Sequence, residues 1–349
     1  MKQINQFITE YIIKKKLDKP IDSENPIYSE NQHKYFPKTR DELIKIIRIL
    51  LDKGETNLNC IDTSAITDMS HLFDMSLKKI INYNLTNVYF DVSKWNVSNV
   101  KDMQFIFYDC MKFDCDLSNW DVSKVENMSY AFCDCSNFKG KGIENWNVSN
   151  VEYMHSVFYG CNKLYCDLSS WDVSKVTTMQ YMFGYCEKFN SDLSKWNVSN
   201  ITNMRAMFEF CKDFNCNLSG WNVSKVENMQ DMFYQCINFK GEGLNKWNVS
   251  NVKDMSGMFS ECINFNCDLS KWNISNVENI AAMFYNCKNF DCDLSNWVVG
   301  KVKDMSSMFY NCTNFNCDLS NWDISNVKNM SFAFYNCKSL KNTPSWYKE

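Results

Sequence analysis

Apolar and polar residues follow one another along this chain in a pattern that returns every 25 residues. Ten tryptophans, Trp95, Trp120, Trp146, Trp171, Trp196, Trp221, Trp247, Trp272, Trp297 and Trp322, mark the step, and two of the intervals are 26. A cysteine column from Cys110 to Cys337 keeps the same step, with a phenylalanine three residues before each member. The consensus reads F-N-C-D-L-S-x-W-N/D-V-S-x-V-x-x-M-x-x-M-F-x-x-C-x-x. Such a fixed period is the signature of an array in which one small unit is stacked many times.

Each unit divides by its periodicity. Phe113, Cys115 and Leu117 alternate with Asp114 and Asp116, the period-two pattern of a strand with one buried face. Val125, Met128 and Phe132 are then spaced by three and four, which predicts a short helix or 3-10 turn laying one face on the core. Asn, Asp and Ser between them supply the turns, because Gly (10) and Pro (4) are scarce. A strand and a helical turn cannot bury their apolar faces alone, so the units must stack. The predicted fold class is a leucine-rich-repeat-like solenoid, with one short parallel strand and one short helix per repeat and a helical N-terminal cap.

Four regions follow. Residues 1–56 form a helical N-terminal region and cap with a linker. Ile4, Phe7, Ile8, Tyr11 and Ile12 mark a first amphipathic helix, and Thr39 with Glu42 forms a capping box that opens a second through Leu43, Ile46, Ile47, Leu50 and Leu51. Gly54 is the stop. Residues 57–94 are a degenerate first repeat, with Ile61 in the tryptophan place and an insertion around Leu77 to Val88. Residues 95–340 are the ten-repeat solenoid and 341–349 a short tail. In the two 26-residue steps, Phe138-Lys139-Gly140-Lys141-Gly142-Ile143 and Phe239-Lys240-Gly241-Glu242-Gly243-Leu244 replace F-x-C-D-L. Paired glycines and an extra residue predict a bulge there.

A formal charge of −4 argues against nucleic acid or an acidic membrane as partner, since phosphate binding relies on clustered Lys and Arg. The one basic run, Lys14-Lys15-Lys16, ends the first amphipathic segment. The N-terminal segment lacks a continuous apolar core with a cleavage site, and no stretch is apolar enough to span a bilayer. The expected location is therefore cytoplasmic.

Cysteine, with 18 residues, is the first candidate for chemistry. Ten form one column, and Cys115, Cys166, Cys216, Cys267, Cys292 and Cys317 a second. Their C-x4-C spacing and the lack of a histidine column argue against zinc, so no metal or cofactor is expected. Gly140 and Ser191 hold second-column places, which suggests that small size matters, and buried free thiols are the expectation. His33, His71 and His155 are isolated in sequence and no catalytic triad is spaced to form. The Asn or Asp after nine of these ten tryptophans, such as Asn96 and Asp121, is expected to bond turn backbone.

A different row, Asp116, Asp167, Asp192, Asp268, Asp293 and Asp318, should point outward, stacking like charges that need solvent, salt or a cation for relief. This acidic strip is the candidate binding face, for a basic protein segment or weakly for calcium. The tyrosines Tyr108, Tyr159, Tyr234, Tyr285, Tyr310 and Tyr335, each one residue past its phenylalanine, are a second candidate.

The units WDVSKVENM, MFYNC and FNCDLSNW, with KYFPKTRDELIKII leading into IDTSAITDMSHLF, resemble the BspA-type leucine-rich-repeat-like surface proteins of bacteria. The resemblance covers nearly all of residues 35 to 340. It implies a solenoid used in adhesion or partner contact, with no catalytic residues to carry across, and a surface or secreted location as the alternative to the cytoplasm. The reading is a non-catalytic protein-binding or scaffold solenoid. A structural solenoid that associates end to end, through uncapped edges, and a glycan-binding adhesin are the alternatives.

Overall fold

The computed structural model describes residues 33–74 and 88–348. The first amphipathic helix, the Lys14-Lys15-Lys16 run and nearly all of the insertion lie outside the described residues.

One α-helix is present among them, α1, Arg40–Asp52. Thr39 caps it by accepting from the Glu42 N–H at 3.3 Å, while the Glu42 carboxylate accepts from the Lys38 N–H at 2.7 Å. Gly54, at φ +78°, ends it with its N–H on the Leu51 carbonyl, as a left-handed terminal residue does. Leu43, Ile46, Ile47, Leu50 and Leu51 are buried in the same cluster as the repeats. The Arg40 side chain donates to the Ser70 carbonyl of the first repeat. The capping helix is thus where the sequence places it.

The interior of the repeats corrects the expected solenoid of strands and helices. No strand forms among the described residues, and apart from a 3-10 turn at Leu244–Lys246 no helix forms in the tandem repeats either. Successive repeats meet through isolated parallel bridges, Asp102 to Asn127, Asn127 to Tyr153 and onward to Asn329.

The helix fails because two residues per repeat are left-handed: Phe105 and Asp109, then Tyr130 and Asp134, and so on to Phe332 and Asn336. Such residues interrupt a right-handed helix. The amides between Met103 and Cys110 nonetheless all find acceptors, as buried peptide groups must. Those of Met103, Phe105, Phe107 and Asp109 donate to the carbonyls of Asn127, Ser129, Ala131 and Cys133 in the next repeat. Those of Ile106, Tyr108 and Cys110 close turns onto the residue three before. The Gln104 N–H goes to the Asp102 carboxylate at 2.8 Å.

The strand fails for another reason. Phe113, Cys115 and Leu117 are buried as the alternation requires, but side chains supply the acceptors that a neighbouring strand would. The Lys139 amide donates to Asp114 Oδ1 at 3.1 Å and the Asn316 amide to Asp291 Oδ1 at 3.1 Å. Apolar periodicity is obeyed without the backbone ladder that usually accompanies it.

Identical residues therefore stack in columns. Trp120 and Trp146 lie parallel at 6.2 Å, Trp247 and Trp272 at 6.5 Å. Each indole N–H donates to a carbonyl one repeat earlier, as Trp196 does to Leu168 at 2.9 Å. Trp346 joins the column, 6.4 Å from Trp322 and donating to Leu319, so the tail lays one further indole over the last repeat. Burying a large side chain contributes about 2–3 kcal/mol, and repetition makes these columns the main source of cohesion.

Candidate functional site

The two cysteine columns are built for bonding. In the first, each thiol donates to the phenylalanine carbonyl of the preceding repeat: Cys135 to Phe107 at 3.0 Å, Cys211 to Phe183 at 3.0 Å, Cys312 to Phe284 at 2.9 Å. Burial pushes these thiols far up, and the Cys337 thiol to about 12. They are not available as thiolate nucleophiles.

At Cys216, Cys292 and Cys317 of the second column the sulfur both accepts and donates. Cys292 Sγ accepts the Leu269 N–H at 3.1 Å and donates to Asp268 Oδ1 at 3.8 Å. Cys317 does the same with Leu294 and Asp293. Ser191 reproduces it with oxygen, accepting from the Leu168 N–H at 2.9 Å and donating to Asp167. Size alone does not define this place, since a small donor–acceptor is required.

The glycine repeats meet that requirement by other means. Here the Leu117 N–H donates to the Lys141 carbonyl at 3.0 Å and the Leu218 N–H to the Glu242 carbonyl at 3.1 Å. The inserted residue, presented between two left-handed glycines, replaces the sulfur. The expected β-bulge is a backbone substitution for a side chain, since no strand exists to bulge.

The six aspartates of the outer strip are where the sequence puts them: five are exposed and Asp116 is partly so. Each also holds a turn. Oδ1 of Asp167, Asp192, Asp268, Asp293 and Asp318 accepts the N–H of the serine two residues on at 2.9 Å, and Asp116 does so at 3.0 Å. Hydrogen bonds from those serines hold the five carboxyls below their usual range, outweighing the neighbouring charge at Asp167. Asp116 falls to about 2, first through Lys141 Nζ at 2.8 Å. Asn96, Asp121 and Asn147 cap the following turn in the same manner.

A third surface carries more unspent chemistry. The left-handed turns between the column methionine and cysteine bring half-buried rings together. His71 stacks on Phe105 at 4.7 Å, Phe105 on Tyr130 at 4.4 Å, and the Tyr130 hydroxyl meets His155 Nε2 at 2.6 Å. Tyr159 packs on Tyr185 at 5.2 Å, Tyr185 on Phe210 at 4.2 Å, and Phe210 on Tyr234 at 5.1 Å. The row resumes at Tyr285, Tyr310 and Tyr335, spaced 4.8 Å apart. All six tyrosines of the second candidate set therefore lie on one face, Tyr108 packing on Phe105 at 5.3 Å.

Carboxylates lie among these rings. Burial raises Asp134 and Asp231, and burial followed by the charge of Asp231 lifts Glu209 to about 7. The guanidinium of Arg205 sits 5.5 Å over the Tyr181 ring. Residue-by-residue reading of the sequence missed these acids and the pairing of His71 with Asp74 at 2.6 Å. The signal was present: the eight-residue segments from 103–110 to 330–337 contain no lysine.

Among the described residues no group of His, Cys, Asp and Glu converges as a metal site, and no helix is long and apolar enough to cross a membrane. A search of curated proteins finds no match to the chain. A family model, by contrast, matches three times in tandem, over residues 50–141, 127–242 and 229–347, spans that take in α1's end, the thiol columns and the whole turn face. With nearly the full array accounted for in this way, the chain belongs to the repeat family described as Mycoplasma protein of unknown function, DUF285.

Proposed function

We propose that this chain is a non-catalytic protein-binding scaffold whose working surface is the ring-bearing face of the left-handed turns. The observation that carries this reading is the tyrosine row: Tyr285, Tyr310 and Tyr335 stack through one face while their edges remain accessible. Half-buried tyrosines offer large rigid contact area at little conformational cost and are enriched in interfaces. The outer aspartates already serve their own turns, and the buried thiols serve the stack, which leaves this face as the surface with groups to spare. The likeness of the units to BspA-type leucine-rich-repeat-like proteins, which implies adhesion or partner contact, supports the same reading.

The test is to pan a phage-displayed random peptide library against the intact chain. Enriched peptides should lose binding to a Tyr285→Ser/Tyr310→Ser/Tyr335→Ser variant whose tryptophan fluorescence and denaturation midpoint show it folded. No enrichment, or peptides that bind the variant equally, would overturn the reading.

A further inference from the structure

Resting on the reading of the turn face as a protein-binding surface, we infer that its partner is an extended, arginine-bearing protein segment. The inference begins with how the chain distributes charge. Of its 37 lysines and arginines, the ten eight-residue segments that end in the column cysteine hold only Arg205, against Asp109, Asp134, Glu209, Asp231 and Glu261. Lysines are placed on other faces, where several already pair with acids of adjacent repeats, as Lys101 with Glu126 and Lys253 with Glu227. The turn face is left negative, and its complement is a cation supplied from outside.

The centre of the face shows which cation fits. Arg205 lies over Tyr181, so the row accepts a planar guanidinium against an aromatic ring. Its Nε is buried and has no acceptor. The Glu209 carboxylate, four residues on, makes no hydrogen bond or ion pair among the described residues; it is half-buried, with Gly184 and Tyr234 as its column neighbours, and feels the charge of Arg205 only at longer range. Two repeats further the row of rings is interrupted, because Gly257 and Ser260 stand where most other repeats carry larger groups. The Asp231 carboxylate fills the space beside Gly257, where a Cβ would lie 2.0 Å from Asp231 Oδ1, so a side chain at that place would have to displace the carboxylate. Glu261 follows, positioned by the Asn286 amide at 2.7 Å. Acids thus border the gap between Tyr234 and Tyr285.

Guanidinium suits this arrangement better than ammonium. It stacks on tyrosine through its flat face while its edge forks onto a carboxylate, and its weaker hydration lowers the loss on entering a half-buried site. A lysine can satisfy the charge but neither the stacking nor the fork.

Fluorescence anisotropy with three labelled peptides of equal length tests the inference on the intact chain: arginine–glycine–serine, its lysine counterpart and its glutamate counterpart. The arginine peptide should bind saturably, with the lysine peptide about tenfold weaker, the loss that about 1.4 kcal/mol of stacking and fork contacts represents. The glutamate peptide should not bind. Glu209→Gln/Asp231→Asn should weaken the arginine peptide by a similar factor, and Glu209→Gln alone, at a half-buried position, serves if the double variant unfolds. Equal binding of arginine and lysine peptides, binding indifferent to both variants, or no binding would overturn the inference. Library peptides without arginine that still depend on Tyr285, Tyr310 and Tyr335 would sink this inference while leaving the protein-binding reading intact. A chain that binds neither library nor synthetic peptides would sink both.

Discussion

In an ordinary repeat the amide of the preceding leucine ends on a small side chain, as the Leu269 N–H does on Cys292 Sγ. In a glycine-bearing repeat the same amide, Leu117 or Leu218, ends on the carbonyl of an inserted residue. The leucine and the tryptophan keep their burial in both. What the array conserves is a bond, and the residue type is free wherever another atom can make it. The inserted residues teach the same lesson about charge. Lys141 faces Asp116, whereas Glu242 faces Asn217, whose amide donates to it at 2.7 Å. At both insertions the neighbour differs with the inserted residue, so that the inserted acid, Glu242, meets an amide and not an acid.

The largest way to break this comparison is Gly142→Ala. Gly142 stands at φ +91°, and a Cβ there would lie 2.1 Å from the Ser118 backbone nitrogen. Both the left-handed strain and the backbone collision must be relieved by opening the contact with the preceding repeat, at an expected loss of about 3 kcal/mol. Urea denaturation followed by tryptophan fluorescence measures it. A loss under about 1 kcal/mol would mean that the Lys141 carbonyl is not held in place by its glycines.

Next in size is the thiol side of the comparison. Cys292→Ala leaves the Leu269 N–H without its acceptor and should cost about 1–2 kcal/mol, whereas Cys292→Ser should stay within about 0.5 kcal/mol of the parent. Ser191 already shows oxygen in this role. Amide hydrogen exchange at Leu269 separates the two, faster in the alanine variant alone. If alanine and serine behave alike, the place selects for volume and the bonding account of the second column fails.

The sequence made the stack, the capping helix and the outward aspartates legible because each rests on local chemistry. A capping box at Thr39, an indole every 25 residues and polar residues between apolar ones can be read without knowing the path of the backbone. The strand and helix within each repeat were misread because periodicity reports burial and not hydrogen bonding. Phe113, Cys115 and Leu117 are buried on alternate positions as a strand would be, yet Asp114 and its equivalents divert the ladder into side chains. Val125, Met128 and Phe132 have helical spacing, but Tyr130 between them is left-handed, which no propensity of tyrosine announces. The turn face stayed hidden for the same reason, since its rings converge only once those left-handed residues turn the chain.

The smallest expected effect concerns Asp116, and it sharpens the comparison by salt. Asp116 and Asp268 cap equivalent turns, but only Asp116 has gained a cation from the inserted Lys141. Its carboxyl, near 2 in the folded chain, lies below its ordinary 3.8. The charged form is therefore the one that folding favours. The stabilisation is complete above the ordinary value and disappears as pH falls toward 2. Asp268 is also lowered, with Ser270 rather than a lysine as the leading cause. Both Asp116→Asn and Asp268→Asn should thus converge with the parent as pH falls and be less stable than it near neutral pH, by less than either change above, because exposed ion pairs are worth little. Molar salt should shrink the Asp116→Asn effect and leave that of Asp268→Asn nearly unchanged, since screening acts on the pair and not on a short hydrogen bond to backbone. Equal salt sensitivity of the two variants would show that Lys141 adds nothing to its turn, and that the inserted residue matters only for its carbonyl.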